Sequence, residues 1–345
     1  HWDQPLAVDP ALTRATVRGD WWDVLAQAGI TLLVTREYEH LVLALSATSS
    51  SDGGVRPQVS CWPLPHPSGL VADRATGRVW IAATRNPNQI FEFRPARGVL
   101  PRPDLPGPVP QTAFHSSPHA GPDTESAAGG VLLPARAVFL PGCLYLHDLA
   151  LIGGELFGNA VGMNAVVRLL QSGDEAGGYE PGGYEIVWWP ACVDRPEGPV
   201  LHRNHLQLNA IAAGPTLAES FFSASCDRVS ARRPGHRNFP VDRRGVIFSG
   251  ATREPVVRGL TRPHSARLHQ GRLWVDNSGY GEVGVIEFGS GTRDGLGRFE
   301  PLTRLPGWTR GLCFHEGIAF VGTSRVICQP VGRSESHCHP ALPPS

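Results

Sequence analysis

The feature that most limits what this chain can fold into is a degenerate unit that returns along nearly its whole length. Residues 65–95 read PHPSGLVADRATGRVWIAATRNPNQIFEFRP, and residues 262–291 read RPHSARLHQGRLWVDNSGYGEVGVIEFGSG. Both run from a Pro/His entry through a short strand, a turn ending in Gly-Arg, an aromatic strand and a polar turn into a third strand. Residues 145–169 and 309–329 fit the same frame, residues 206–214 start another unit, and EYEHLVLALSA at 37–47 starts a first. Units of this kind, each an antiparallel meander, cannot bury their apolar faces alone and stack around an axis. The expectation is all-β: a six-bladed β-propeller of four-stranded blades with a short N-terminal helical segment. A β-sandwich with an extra domain is the competing architecture.

The runs between the turns support strands. ITLLVT, RVWIAAT, QIFEFRP, YEIVWWP, GVIFSG and RLWVDNS are β-branched or aromatic and are bounded by Gly, Pro, Asn or Asp. With 40 Gly and 32 Pro in 345 residues, turns are frequent, yet Trp, Phe, Leu and Val are too plentiful for a disordered chain. Helical spacing occurs only near the start, where Val17, Trp21, Val24 and Leu25 fall near one face and Gly29 ends the run. The layout read from this is a helical extension over 1–30, one propeller domain over 31–332 and a loose tail over 333–345. Residues 97–130, rich in Pro, Gly and Ser, form an insertion expected as a loop over one mouth of the channel. Residues 228–240 are basic and turn-rich.

Charge removes several functions. The 31 basic residues are all Arg, so a Schiff-base lysine and a phosphate-loop lysine are both absent. The net charge of zero gives no footprint for nucleic acid or an anionic membrane. No run of about eighteen apolar residues marks a transmembrane helix, and HWDQPLAVDP is not a signal peptide. Seven Cys without C-x-x-C make neither a disulfide framework nor a zinc spacing, and Cys313 reads as core packing; the expected setting is the cytosol. Gly-x-Ser-x-Gly is missing, and GSGTRDGLG precedes no helix, so neither a hydrolase elbow nor a phosphate loop is supported.

The segments PHPSGLVAD, RNPNQIFEF, LHDLALIGGELF, RPHSARLHQGRLWV and GWTRGLCFH, in this order over roughly residues 25–330, resemble the bacterial TIGR03032 family, which overlaps the domain of unknown function DUF4915. The resemblance implies a six-bladed propeller and supplies no catalytic residues. The family's His-Leu-Asn-Gly-Leu stands here as His205-Leu-Gln-Leu-Asn209, which leaves open whether His205 or Asn209 faces the channel.

Aligning the units places His40, Ser68, His147, Asn209, His264 and Arg310 at the entries of successive first strands, with His66, Asp148 and His205 beside them. Only a closed ring brings such distant residues together. Imidazole is the commonest transition-metal ligand. His40, His66, His147, His205 and His264 are therefore candidate ligands for a divalent zinc, iron or copper ion. Asp148 and Glu282 are candidate further ligands or bases, and Arg310 a carboxylate anchor. The expectation is a metal-dependent lyase, hydrolase or oxidoreductase acting on a small molecule or peptide, a tailoring step in bacterial secondary metabolism, as a monomer or dimer. A non-catalytic ligand-binding propeller and a metal-free acid–base enzyme using His147 or His264 with Arg310 are the alternatives.

Overall fold

A computed structural model describes residues 8–50, 53–95, 132–170, 183–236, 238–289 and 296–324. The insertion expected at 97–130 and the tail at 333–345 lie outside them.

The helical start is α1 (Pro10–Thr13), begun by the Asp9 side chain accepting from the Ala11 N–H, and α2 (Trp21–Ala28). Gly29 ends α2 in the left-handed region at φ 61°, where a side chain costs energy. The buried face is Leu25, which packs with Ala47 and Phe320; Val17 falls before the helix and is exposed. No helix among the described residues is long and apolar enough to cross a membrane.

Everything after α2 is β-structure. A three-stranded sheet holds β1 (Leu32–Arg36), β2 (Leu41–Ser49) and β3 (Val55–Pro63). Four four-stranded meanders follow. The first is β4 (Pro67–Ala72), β5 (Val79–Ala83), β6 (Asn88–Pro95) and β7 (Leu132–Leu140); the second is β8 (Leu146–Ile152), β9 (Glu155–Ala160), β10 (Ala165–Leu170) and β11 (Gly183–Trp188). The third is β12 (Leu208–Ala212), β13 (Phe221–Ala224), β14 (Gly245–Ser249) and β15 (Pro255–Leu260); the fourth is β16 (Pro263–His269), β17 (Arg272–Asn277), β18 (Glu282–Glu287) and β19 (Arg298–Arg304). The hairpin β20 (Trp308–His315) and β21 (Ile318–Ser324) ends the series.

First strands pack on first strands around an axis: β1 on β4, β4 on β8, β8 on β12, β12 on β16 and β16 on β20. Phe320 of β21 joins Leu32 and Leu45 of the first sheet, so the ring closes through apolar contact. This is a propeller arrangement with five blades, and the expected six four-stranded blades need correction. Five sheets have three or four strands, and the last unit contributes a two-stranded hairpin among the described residues. Five of the six unit starts in the sequence mark first strands; they do not count the strands that follow.

The first sheet also runs the other way. The Leu64 N–H donates to the His40 carbonyl at 2.9 Å and the His66 N–H to His40 Nδ1 at 3.2 Å, so the β1–β2 turn lies at the end where β4 begins. A three-stranded sheet must start from the far end to deliver the chain to β4. EYEHLVLALSA is therefore a turn and a middle strand, not a blade entry.

Two backbone devices recur in the other first strands. The residue just before the strand has positive φ: His66 at 44°, Tyr145 at 56°, Gln207 at 51°, Arg262 at 50° and Gly307 at 95°. Bulky side chains rarely adopt this region, and such strain concentrates at functional sites. Each of these strands then bulges against its second strand, between Pro67 and Leu70, Leu146 and Leu149, Leu208 and Ala210, His264 and Arg267, and Thr309 and Leu312. The bulges let neighbouring first strands approach closely; a Cβ on Gly69 would stand 2.7 Å from the Asp148 backbone.

Candidate functional site at the channel mouth

The bulges of β8, β16 and β20 carry His147, His264 and Arg310. The Arg310 charge acts on both imidazoles, and His147 acts on His264, so the ring gathers these three from distant parts of the chain. Both imidazoles keep some surface toward the channel yet are enclosed by protein. Burial, then Arg310 and Arg85, lowers the His147 pKa to about 4. Burial, then Arg310, His147 and Arg262, holds His264 well below its ordinary value. Both rings are therefore neutral at pH 7.

A second guanidinium stands here. Arg262, in the left-handed position before β16, lies 5.1 Å from the Trp308 ring centroid, and Arg310 lies 5.7 Å from the same ring. Burial and the neighbouring Arg310 lower the Arg262 pKa. Among the described residues, the side chains of His147, His264, Arg262 and Arg310 accept or donate no hydrogen bond within the protein and join no ion pair, and the Arg310 Nε is buried without a partner.

The remaining ring positions are occupied by the fold itself. The Thr35 hydroxyl donates to the Ser68 carbonyl at 2.9 Å, and Ser68 Oγ donates to the His147 carbonyl at 3.2 Å. Thr35 of β1 thus stands where the sequence placed His40. Asn209 Nδ2 donates to Ser225 Oγ at 3.2 Å and to the Pro263 carbonyl at 2.9 Å, while its Oδ1 is buried without a partner. On the question left open by the sequence, Asn209 holds the bulge of β12.

Below the mouth, Asp148 is fully engaged. Its carboxylate takes Arg267 Nη1 at 2.7 Å and Nη2 at 3.1 Å and accepts from the Ile211 N–H at 3.0 Å and the Leu149 N–H at 3.1 Å. Arg267 also donates to the Ile211 carbonyl at 3.2 Å. The pair clasps β8, β12 and β16 together, so the reading of Asp148 as a base or metal ligand is corrected: its oxygens are already committed. Glu282 begins the third strand of its blade; its side chain accepts from Asn277 Nδ2 at 2.8 Å and its carbonyl from the Thr309 hydroxyl of β20 at 3.2 Å. Asp276 was not singled out in the sequence. It is fully buried, and burial raises its pKa well above the carboxylate range against the hydrogen bond of the Ser265 hydroxyl and the charge of Arg267. Nothing in the string RLWVDN distinguishes this Asp from one in a turn.

The other histidines fall elsewhere. His40 and His66 face each other with ring centroids 4.2 Å apart, beside the Arg85–Glu37 pair. His205 is buried in the loop between β11 and β12, with Nδ1 3.2 Å from the Ser230 carbonyl of the β13–β14 loop, and the Asn164 side chain fixes the His205 and Leu206 N–H groups at 2.7 and 3.1 Å. Among the described residues no three His, Cys, Asp or Glu side chains gather closely enough to hold a metal ion. Cys313, expected in the core, is exposed among the described residues.

The family model of a domain of unknown function, DUF4915, matches residues 19–331. No curated protein matches the sequence. Among solved structures, the chain is similar to a protein from Thermus thermophilus provisionally called an oxidoreductase (glucose dehydrogenase), at 17% identity and a TM-score of 0.41 over 82% of this chain and 87% of that one.

Proposed function

The chain belongs to the DUF4915 family, whose description assigns no activity, and from that premise we propose that the mouth binds a small anionic molecule and performs metal-free proton transfer on it. One observation carries this reading: two neutral imidazoles and two guanidiniums converge without a carboxylate or a hydrogen-bond partner. Enclosed charges without partners are costly, and a carboxylate or phosphate oxygen supplies what they lack. Arg310 anchors the anion, and Trp308 walls it. The arriving negative charge opposes the Arg310 and Arg85 fields, so the His147 pKa rises from about 4 toward the range where imidazole takes up and returns a proton. This chemistry suits elimination or isomerisation beside an anionic group.

The test is calorimetric titration with succinate, citrate and inorganic phosphate, in wild type and Arg310→Ala. Binding that vanishes with Arg310 supports the reading. If wild type takes none of these anions, while added zinc, iron or copper raises its melting temperature and His147→Ala abolishes the rise, metal-dependent chemistry replaces it.

A further inference from the structure

A cavity of about 390 Å³ opens between the third and fourth four-stranded sheets and is lined by Arg243, Gly259, Asn277, Tyr280, Glu282 and Arg304. Its volume lies at the lower end for small-molecule sites.

The register explains how its charges are arranged. Asn277 pairs with Glu282 across β17 and β18, and Glu282 pairs with Arg304 across β18 and β19. Directly opposed residues share a sheet face, so the three stand in one row. A Glu opposite an Arg ordinarily forms an ion pair. Here, among the described residues, none joins them. Each is tied elsewhere: Glu282 Oε2 accepts from Asn277 Nδ2 at 2.8 Å, and Arg304 Nε donates to the Tyr280 carbonyl at 2.9 Å. Among the described residues, the other Glu282 oxygen and the terminal Arg304 nitrogens are left without a protein partner. Tyr280 is itself fixed by its hydroxyl donating to Asp242. Arg243 enters from the β13–β14 loop at a left-handed φ of 52°, and its guanidinium makes no bond among the described residues. Gly259 leaves its side open, with no atom within 4 Å of where a Cβ would stand.

We propose that this cavity binds a small zwitterion, an α-amino acid, with its carboxylate on Arg243 and Arg304 and its ammonium on Glu282. Opposite charges held apart by their own anchors across a cavity fit a ligand that carries both signs a few bonds apart. A simple anion leaves Glu282 unmatched, and a simple amine leaves two guanidiniums unmatched. The site is separate from the mouth and does not depend on the function proposed there.

The experiment is a thermal-shift and calorimetric screen of full-length protein against the twenty L-amino acids. Propionate and ethylamine serve as single-charge probes. At least one amino acid should bind, and both single-charge probes should bind at least tenfold more weakly. Arg243→Ala, an exposed loop change that breaks no protein bond, should lower affinity at least tenfold with an unchanged melting temperature. Glu282→Gln should remove the preference for the amino acid over its des-amino carboxylate, and Arg310→Ala should leave binding as in wild type. The proposal is overturned if no amino acid binds at millimolar concentration, if Arg243→Ala binds as wild type does, or if propionate binds as tightly as the amino acid.

Discussion

Two levels of one channel, a single residue apart on β8, are built in opposite ways. At the mouth, the side chains of His147, His264 and Arg310 make no hydrogen bond or ion pair among the described residues. One step down, Asp148 and Arg267 satisfy each other twice over and take in the Ile211 backbone as well. Both levels are enclosed and polar, so both bear the cost of leaving water. Only the lower one recovers that cost inside the protein. The contrast separates polar groups that hold the ring together from polar groups that the ring holds ready.

The largest effect is expected from breaking the lower level. Asp148→Ala leaves the Arg267 guanidinium enclosed without its partner and should cost about 3–5 kcal/mol, measured as a lower denaturant midpoint. If His147→Ala costs as much, the two levels are not different in kind.

Arg310→Ala should do the reverse. It should weaken anion binding about 10- to 100-fold, the scale of one charged hydrogen bond at about 1.5–3 kcal/mol, while stability holds or rises because Arg262 loses a like-charged neighbour. A fall in stability without a change in affinity would move Arg310 to the structural side of the comparison.

Asp276 sharpens the contrast, since it lies directly opposite His264 across β16 and β17 and is fully buried. Its folded pKa is raised above the unfolded value of 3.8. Native stability therefore falls as pH rises from about 4 toward that folded pKa, because the unfolded chain ionises first. Asp276→Asn should stabilise the protein at pH 8 by about 1 kcal/mol or more and leave it unchanged near pH 3. Equal stability at pH 8 would mean that Ser265 and Arg267 offset the burial of the carboxyl.

The histidines act with the opposite sign. The His147 pKa is lowered from 6.5 to about 4, so the unfolded chain takes up the proton first and stability declines as pH falls through that window. In an Asp276→Asn background, where the opposing slope is gone, His147→Gln should flatten the decline between pH 6.5 and 4. A slope that persists unchanged places its origin in another group.

The mouth was largely legible because its residues announce themselves locally. A Pro or a Leu directly before a His at the head of a strand-like run marks the entry at His147 and His264, and Arg310 enters the same frame two residues after Trp308. His40 imitated it: LVLALS has the same period as a first strand, and direction within a sheet leaves no trace in a period of two. Partnership was illegible. Asp148 and Arg267 are 119 residues apart, and nothing near either one names the other. Glu282 misled for the same reason, since its neighbours Arg304 and Arg243 come from another strand and another blade.

The bulge in β16 fixes the phase of the strand. His264 and Arg267 are three residues apart, an odd interval that in a regular strand sends side chains to opposite faces. Their partners Asp276 and Trp274 are two apart, so the bulge absorbs one residue and returns both side chains to the same face. A single strand thereby serves the open mouth and the closed clasp. Removing one residue from that stretch would leave the two side chains two apart opposite partners two apart, a regular ladder that keeps both on one face and erases only the bulge. What the extra residue supplies is the bulge itself, the local irregularity at which neighbouring first strands come together.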